Sequence, residues 1–83
     1  MQETDVYSFL KEAFTRIFGR TDIELTPTLT AKDVVGWDSF QQVEIIVALE
    51  EQFDIRIRSK DLNEIANVGD LVALVLRKVQ AAR

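Results

Sequence analysis

The sequence predicts an all-α fold: four helices in a bundle with a long first loop and a short third helix, filling residues 1–83 as a single domain. Three observations carry that expectation. Apolar residues recur at i, i+3, i+4 and i+7 in three segments, the spacing of helices that bury one side. The one stretch that alternates like a strand, Asp54-Ile55-Arg56-Ile57-Arg58, has no second strand to pair with. A connection of about twenty residues separates the first two helical segments, long enough in a small domain to suggest a function of its own.

Helix one is expected from about Thr4 to Phe18, with Val6, Phe9, Leu10, Ala13, Phe14 and Ile17 as its apolar stripe. Thr4 or Asp5 can cap its start, Arg16 and Arg20 suit its negative end, and Gly19 is placed to stop it. From Gly19 to Trp37 no long period appears and Pro27 interrupts the one extended piece; Leu25, Leu29, Val34 and Val35 are expected to anchor this loop, with one helical turn near Thr30 to Val35. Gly36 is expected to supply a conformation that other residues resist. Trp37 reads as a partly buried plug against a helix end rather than a ligand-stacking residue.

Helix two runs from Asp38-Ser39 to Phe53. At about 100° per residue, Gln42, Ile45, Ile46, Leu49 and Phe53 share one side, enough to seat it on a core. The other side carries Phe40, Val43, Glu44, Val47 and Glu51, an alternation of apolar and acidic side chains that a purely solvated face does not require. At the helix start Asp38 and Ser39 are both good N-cap residues, and each completes a capping box, Asp38 with Gln41 and Ser39 with Gln42. Capping alone accounts for the pair when it is read without context.

Beyond Phe53, Ile55 and Ile57 are expected to point inward from an extended linker. Ser59 can start a helix of one or two turns that buries Leu62 and Ile65 and stops near Ala66; a helix so short depends on packing. Asn67 can cap the last helix with Asp70 in the acidic position of a capping box. Leu71, Val72, Val75, Leu76 and Val79 form the last stripe, and Arg77, Lys78 and Arg83 suit its C-terminal end.

Composition narrows the chemistry. With 47% hydrophobic and 29% charged residues the chain has the makeup of a folded domain. No apolar run approaches the ~20 residues of a bilayer span, and Glu3 and Asp5 stand where a signal peptide would be basic, so a cytoplasmic protein is expected. There is no cysteine and no histidine, which removes disulfides, a thiol nucleophile, the commonest metal ligand and the commonest general base. A Ser-His-Asp triad is excluded by inventory. The net charge of −4 argues against nucleic acid and for partners with basic surfaces.

The long anchored loop, then Gly36-Trp37-Asp38-Ser39-Phe40 at the mouth of a helix that continues Val43-Glu44-Ile45-Ile46 and Ala48-Leu49-Glu50-Glu51-Gln52-Phe53-Asp54-Ile55, with Val68-Gly69-Asp70-Leu71 opening the last helix, resembles the acyl carrier protein family from Val6 to about Val79. The resemblance implies that Ser39 carries 4′-phosphopantetheine, derived from coenzyme A, through a phosphodiester. A phosphate there would meet unpaired N–H groups and the positive end of the helix dipole. The reactive thiol would come from the cofactor, which explains acyl transfer by a chain lacking Cys and His. The chain would then be no enzyme but a substrate of others, expected to act as a monomer.

The same resemblance makes Asp38, Phe40, Val43, Glu44, Val47 and Glu51 the docking surface for a phosphopantetheinyl transferase and for acyl-loading and acyl-processing enzymes with basic patches, with Asp61 adding to it. Affinities near micromolar, about −8 kcal/mol, would let one carrier visit several enzymes in turn. A long acyl chain would be sheltered by residues such as Ile46, Leu49, Phe53, Leu62 and Ile65, which sequence cannot separate from plain core. Trp37, Gln41-Gln42 and the basic Arg56, Arg58 and Lys60 depart from housekeeping fatty-acid carriers and suggest a specialised one, serving fatty-acid, lipid or secondary-metabolite synthesis. The rival readings are an aminoacyl or peptidyl carrier, and an unmodified carrier-like adaptor in which Ser39 is only a cap.

Overall fold

The computed structural model describes residues 2–81 and contains α1 (Glu3–Phe18), a single 3₁₀ turn (Ala31–Asp33), α2 (Ser39–Phe53), α3 (Ser59–Leu62) and α4 (Val68–Ala81). Arg83, expected to complement the end of the last helix, lies outside the described residues. Among the described residues there is no strand, and no helix is long and apolar enough to cross a membrane.

Helix α1 starts slightly ahead of the expected position. Gln2 occupies the cap, and Asp5 acts from the third helical position, its carboxylate accepting the Gln2 N–H at 2.8 Å. Thr4 therefore lies inside the first turn and caps nothing. A carboxylate placed there satisfies a free N–H and sits at the positive end of the helix dipole, so it needs no N-cap position of its own. Gly19 ends the helix with φ 66°, its N–H donating to the Thr15 carbonyl at 2.9 Å.

The loop that follows is packed down as expected through half-buried Ile23, Leu25 and Leu29 and buried Val34. Val35 corrects the expectation, because it is 84% exposed. Val34 has extended backbone, and neighbours on such backbone point to opposite sides; once Val34 faces in, Val35 must face out. The loop is also fastened by its main chain. The Val68 N–H donates to the Leu29 carbonyl and the Gly69 N–H to the Pro27 carbonyl, both at 2.9 Å, so the start of α4 is closed by the loop. A Cβ at position 69 would lie 2.9 Å from the Pro27 oxygen, which only glycine avoids. Asn67 adds the expected cap, its Oδ1 accepting the Asp70 N–H, while the Asp70 carboxylate takes the Ala66 N–H.

Helix α1 packs on both α2 and α4. Val6, Leu10 and Phe14 meet Ile45 and Leu49 of α2 and Val68, Leu71, Val72 and Val75 of α4, each nearly without exposure. Burying such a side chain contributes about 1.5–3 kcal/mol. The last stripe is wider than expected: Leu74 is buried, and Leu76 and Val79 are half-buried at its edge. Leu74 faces a crevice shared with Ile65, so the segment after α3 supplies its cover. Helix α3 itself spans only four residues, and Leu62 and Ile65 are half-buried rather than buried. Asp54 ends α2 in the left-handed region at φ 54° and ψ 52°, so the linker proper is 55–58, with Ile57 buried and Ile55 half-buried.

Candidate functional site

The chain enters α2 through a strained corner. Gly36 has φ 91°, a left-handed value that a side chain would oppose. Asp38 is the N-cap: its Oδ1 accepts the Phe40 N–H at 3.0 Å and the Gln41 N–H at 3.2 Å. Its own N–H donates to the Gly36 carbonyl, so the reciprocal half of a capping box with Gln41 is not made. Ser39 is the first helical residue and does no capping, which corrects the Ser39–Gln42 box. One cap suffices, and Asp38 fills it. Among the described residues neither the hydroxyl nor the N–H of Ser39 has a hydrogen-bond partner, and the side chain is exposed. The expected reserve of free N–H groups is correspondingly smaller, since Asp38 occupies two of them.

Trp37 is half-buried and packs edge-on against Phe14, with ring centroids 5.2 Å apart, and tilted against Phe18 at 6.2 Å. Its indole N–H donates to Gln42 Oε1 at 2.7 Å. The plug reading is borne out. A cavity of about 310 Å³ opens beside Ser39, bounded by Trp37, Gln42, Ile65, Val68 and Leu71. Of the residues expected to shelter a long acyl chain, Ile65 alone lines it. Ile46 and Leu49 are buried in the core, and Phe53 is held edge-on by Phe9 at 5.6 Å.

The outward side of α2 is as apolar as its sequence suggests. Phe40 is 68% exposed, Val43 60% and Val47 43%. Asp38 and Glu51 are exposed as well, and Glu44 is half-buried. Val43, Glu44, Val47 and Glu51 line one shallow groove between α2 and α1, together with Ile17 and Arg16. Phe40 stands outside that groove, nearer the helix start. The sequence reading missed Arg16 as a member of this surface; its place three and a half turns along α1 gave no hint of which helix it would border.

Two acidic residues prove structural. Asp61, expected to join the docking surface, accepts the Arg58 N–H at 2.9 Å and pairs with Lys78 at 2.9 Å. The Arg58 N–H first, and Lys78 second, hold its carboxyl below the usual carboxylate range. Its charge is spent tying α3 to α4. Glu50 accepts the Ile57 N–H at 2.8 Å and so fixes the linker, whereas its neighbour Glu51 faces solvent. Helical phase places Glu50 toward the linker, but nothing in the sequence named its partner.

Comparison with known proteins gives concordant results. Residues 8–75 match the family model described as a phosphopantetheine attachment site. An acyl carrier protein of Exiguobacterium is 33% identical over 79 residues, covering 95% of this chain and 100% of that protein. A protein of Schizosaccharomyces pombe named as a mitochondrial acyl carrier protein is 40% identical over 58 residues, or 70% of this chain. The match spans 52% of that longer protein's length. The solution structure of a holo acyl carrier protein from Geobacter metallireducens superposes with a TM-score of 0.86 at 33% identity, over 99% of this chain and 91% of that one.

Proposed function

We propose Ser39 as the attachment point of the prosthetic arm, starting from the fact that this chain belongs to the acyl carrier protein family and is a phosphopantetheine-attachment domain. The observation that supports the assignment is the division of labour at the start of α2. Asp38 makes the cap, so the Ser39 hydroxyl is exposed and uncommitted. The residues present fit the group. Ser39 Oγ can be esterified without breaking any bond that holds the helix, its phosphate would lie at the positive end of the helix dipole, and the cavity lies alongside. When bound, phosphopantetheine supplies the thiol on which acyl groups are held as thioesters.

The chain's own residues then do two things. Asp38 fixes the helix start so that Oγ is presented in one place, and the outward side of α2 presents the carrier to its enzymes. Phe40, Val43 and Val47 offer short-range apolar contact, while Asp38, Glu44 and Glu51 steer the encounter toward basic patches on a phosphopantetheinyl transferase and on acyl-loading and acyl-processing enzymes. The carrier performs no turnover of its own in this reading. Residues 1–83 act as one carrier domain, a reading supported by the full-length alignment with the Exiguobacterium protein, and the cytoplasm is the proposed compartment. The cargo is an acyl intermediate of fatty-acid, lipid or secondary-metabolite synthesis.

Co-expression with a phosphopantetheinyl transferase tests the assignment. The intact mass of the wild type should rise by one phosphopantetheine, and that of Ser39→Ala should not change. A modified Ser39→Ala protein, or a wild type left bare by several unrelated transferases, would overturn it.

A further inference from the structure

We propose that the groove at the end of α2 away from Ser39 is a docking site for an extended acidic segment of a partner protein, held by Arg56, Arg58 and Lys60. The inference goes beyond the attachment at Ser39 and does not rest on it. Helix α2 has 15 residues, so its far end lies about 20 Å from Ser39. There a groove of about 450 Å³ runs between the 55–58 linker, the start of α3 and the end of α4, bordered by Asp54, Arg56, Arg58, Lys60, Asp61 and Lys78. Four cations meet two carboxylates in it, although the chain as a whole carries a net charge of −4.

Three of those cations have no internal task. Lys78 is paired with Asp61, and the negative end of α4 favours a cation there. Among the described residues Arg56, Arg58 and Lys60 make no ion pair, not even with Asp54. Arg58 stands at the cap position of α3, the positive end of a helix, where a cation gains nothing. Burial alternates along the linker, with Ile55 and Ile57 turned inward and Arg56 and Arg58 exposed. The two guanidinium side chains therefore leave from one side, from Cα atoms about 7 Å apart. Alternate side chains of an extended peptide have the same spacing, and a planar guanidinium can hold a carboxylate through two parallel N–H bonds. The linker's main chain is closed to a pairing strand: the Ile55 N–H donates to the Glu50 carbonyl, the Ile57 N–H to the Glu50 carboxylate and the Arg58 N–H to Asp61. Recognition falls to the side chains, and their charge selects an acidic partner. A membrane surface fits less well, because none of the exposed large apolar side chains, Val35, Phe40, Val43 and Val47, borders this groove. A segment seated here leaves the outward side of α2 open, so the carrier can be held at one end while its other end meets an enzyme.

The test measures binding of the full chain to a fluorescein-labelled peptide that alternates glutamate and threonine, by fluorescence anisotropy at low salt. An acidic chain repels such a peptide overall, so its capture reports the groove. The wild type should bind it, and binding should fade as salt is raised. Arg56→Glu with Arg58→Glu should weaken binding at least about tenfold, and Lys60→Glu several-fold. The milder pair Arg56→Gln with Arg58→Gln, which keeps the test open if the reversed pair fails to fold, should weaken it several-fold. Arg77→Glu changes the net charge as much as Lys60→Glu but lies in a different crevice, beside Glu64 and Asp70, and should leave binding within about twofold. All these variants should gain phosphopantetheine at the wild-type rate. No binding at low salt, an Arg77→Glu loss equal to that of Lys60→Glu, or tighter binding to phosphatidylserine vesicles than to the peptide would overturn the inference. So would self-association at low salt that both Arg56→Glu and Glu51→Lys abolish, since it would assign the groove to a second copy of the chain. A failure of Ser39 to be modified bears on the attachment alone and leaves peptide binding as it was.

Discussion

The two long helices that follow the loop begin in opposite ways. At α4 the first N–H groups are taken by main-chain carbonyls of Pro27 and Leu29 and by the Asn67 side chain, with the loop backbone lying across the helix mouth. At α2 a single side chain, Asp38, makes the cap, and the next residue projects an unbonded hydroxyl into solvent. Both helix starts are capped, yet only the one at α2 keeps an exposed residue, Ser39, with its N–H and hydroxyl unbonded among the described residues. A helix mouth roofed by backbone is finished as structure; one capped by a short side chain keeps a place where a group can be added. The chain spends its loop on closing the first kind so that the loop's far end can deliver the second.

That contrast can be broken from either side. The largest effect should come from Ser39→Ala, which abolishes the phosphopantetheine mass increment while shifting stability by under ~0.5 kcal/mol, because the hydroxyl holds nothing. Gly69→Ala should do the reverse. Its Cβ would press on the Pro27 oxygen, and chemical denaturation should record a loss of about 1–3 kcal/mol, with modification still proceeding in the fraction that folds. Asp38→Ala touches both properties: removal of an N-cap costs about 1 kcal/mol, and modification should slow because Ser39 is held less firmly. A smaller loss in Asp38→Ala than in Asp38→Asn would contradict its role as the cap.

Charge reversal sharpens the comparison further along α2. Glu44→Lys and Glu51→Lys should slow modification and loading at low salt, leave stability within ~0.5 kcal/mol, and lose their effect as salt screens the encounter. Reversals that leave loading rates unchanged at low salt would remove this surface from the docking face. The smallest effect concerns pH. Asp61 is held below its ordinary range in the folded chain, so its contribution to stability is present above the unfolded carboxylate value near pH 4 and disappears as pH falls below it. The stability gap between wild type and Asp61→Asn should therefore be constant near neutrality and close in acid. A gap that widens in acid would mean the carboxylate is not stabilised by Lys78 and the Arg58 N–H.

What could be read from sequence was what lies within a few residues. The three helical stripes, Gly19 and Gly36 as left-handed positions, Asn67 as a cap and the exposed apolar side of α2 all follow from spacing of four or fewer, and the structure bears them out. The misses are partnerships across distance. Asp61 was expected on the docking surface, but Lys78 reaches it from another helix, and the partner of Glu50, the Ile57 N–H, lies seven residues further along the chain. Val35 was a local miss: the turn expected near Thr30 to Val35 ends at Asp33, and on the extended backbone that follows two adjacent valines cannot both face inward. Which of Asp38 and Ser39 would cap was undecidable from composition, because either side chain can do it; the backbone at Asp38, extended at φ −113° and ψ −167°, made the choice.

The fastening between loop and α4 also bears on how the sequence can drift. Carbonyl oxygens are the same in every residue, so the two bonds reaching Pro27 and Leu29 place no demand on the side chains at the exposed positions Thr26 and Thr28. Those sites can change over generations without loosening the joint. The inheritance cost of the whole arrangement falls instead on position 69, where the absence of a side chain is what lets the two segments touch.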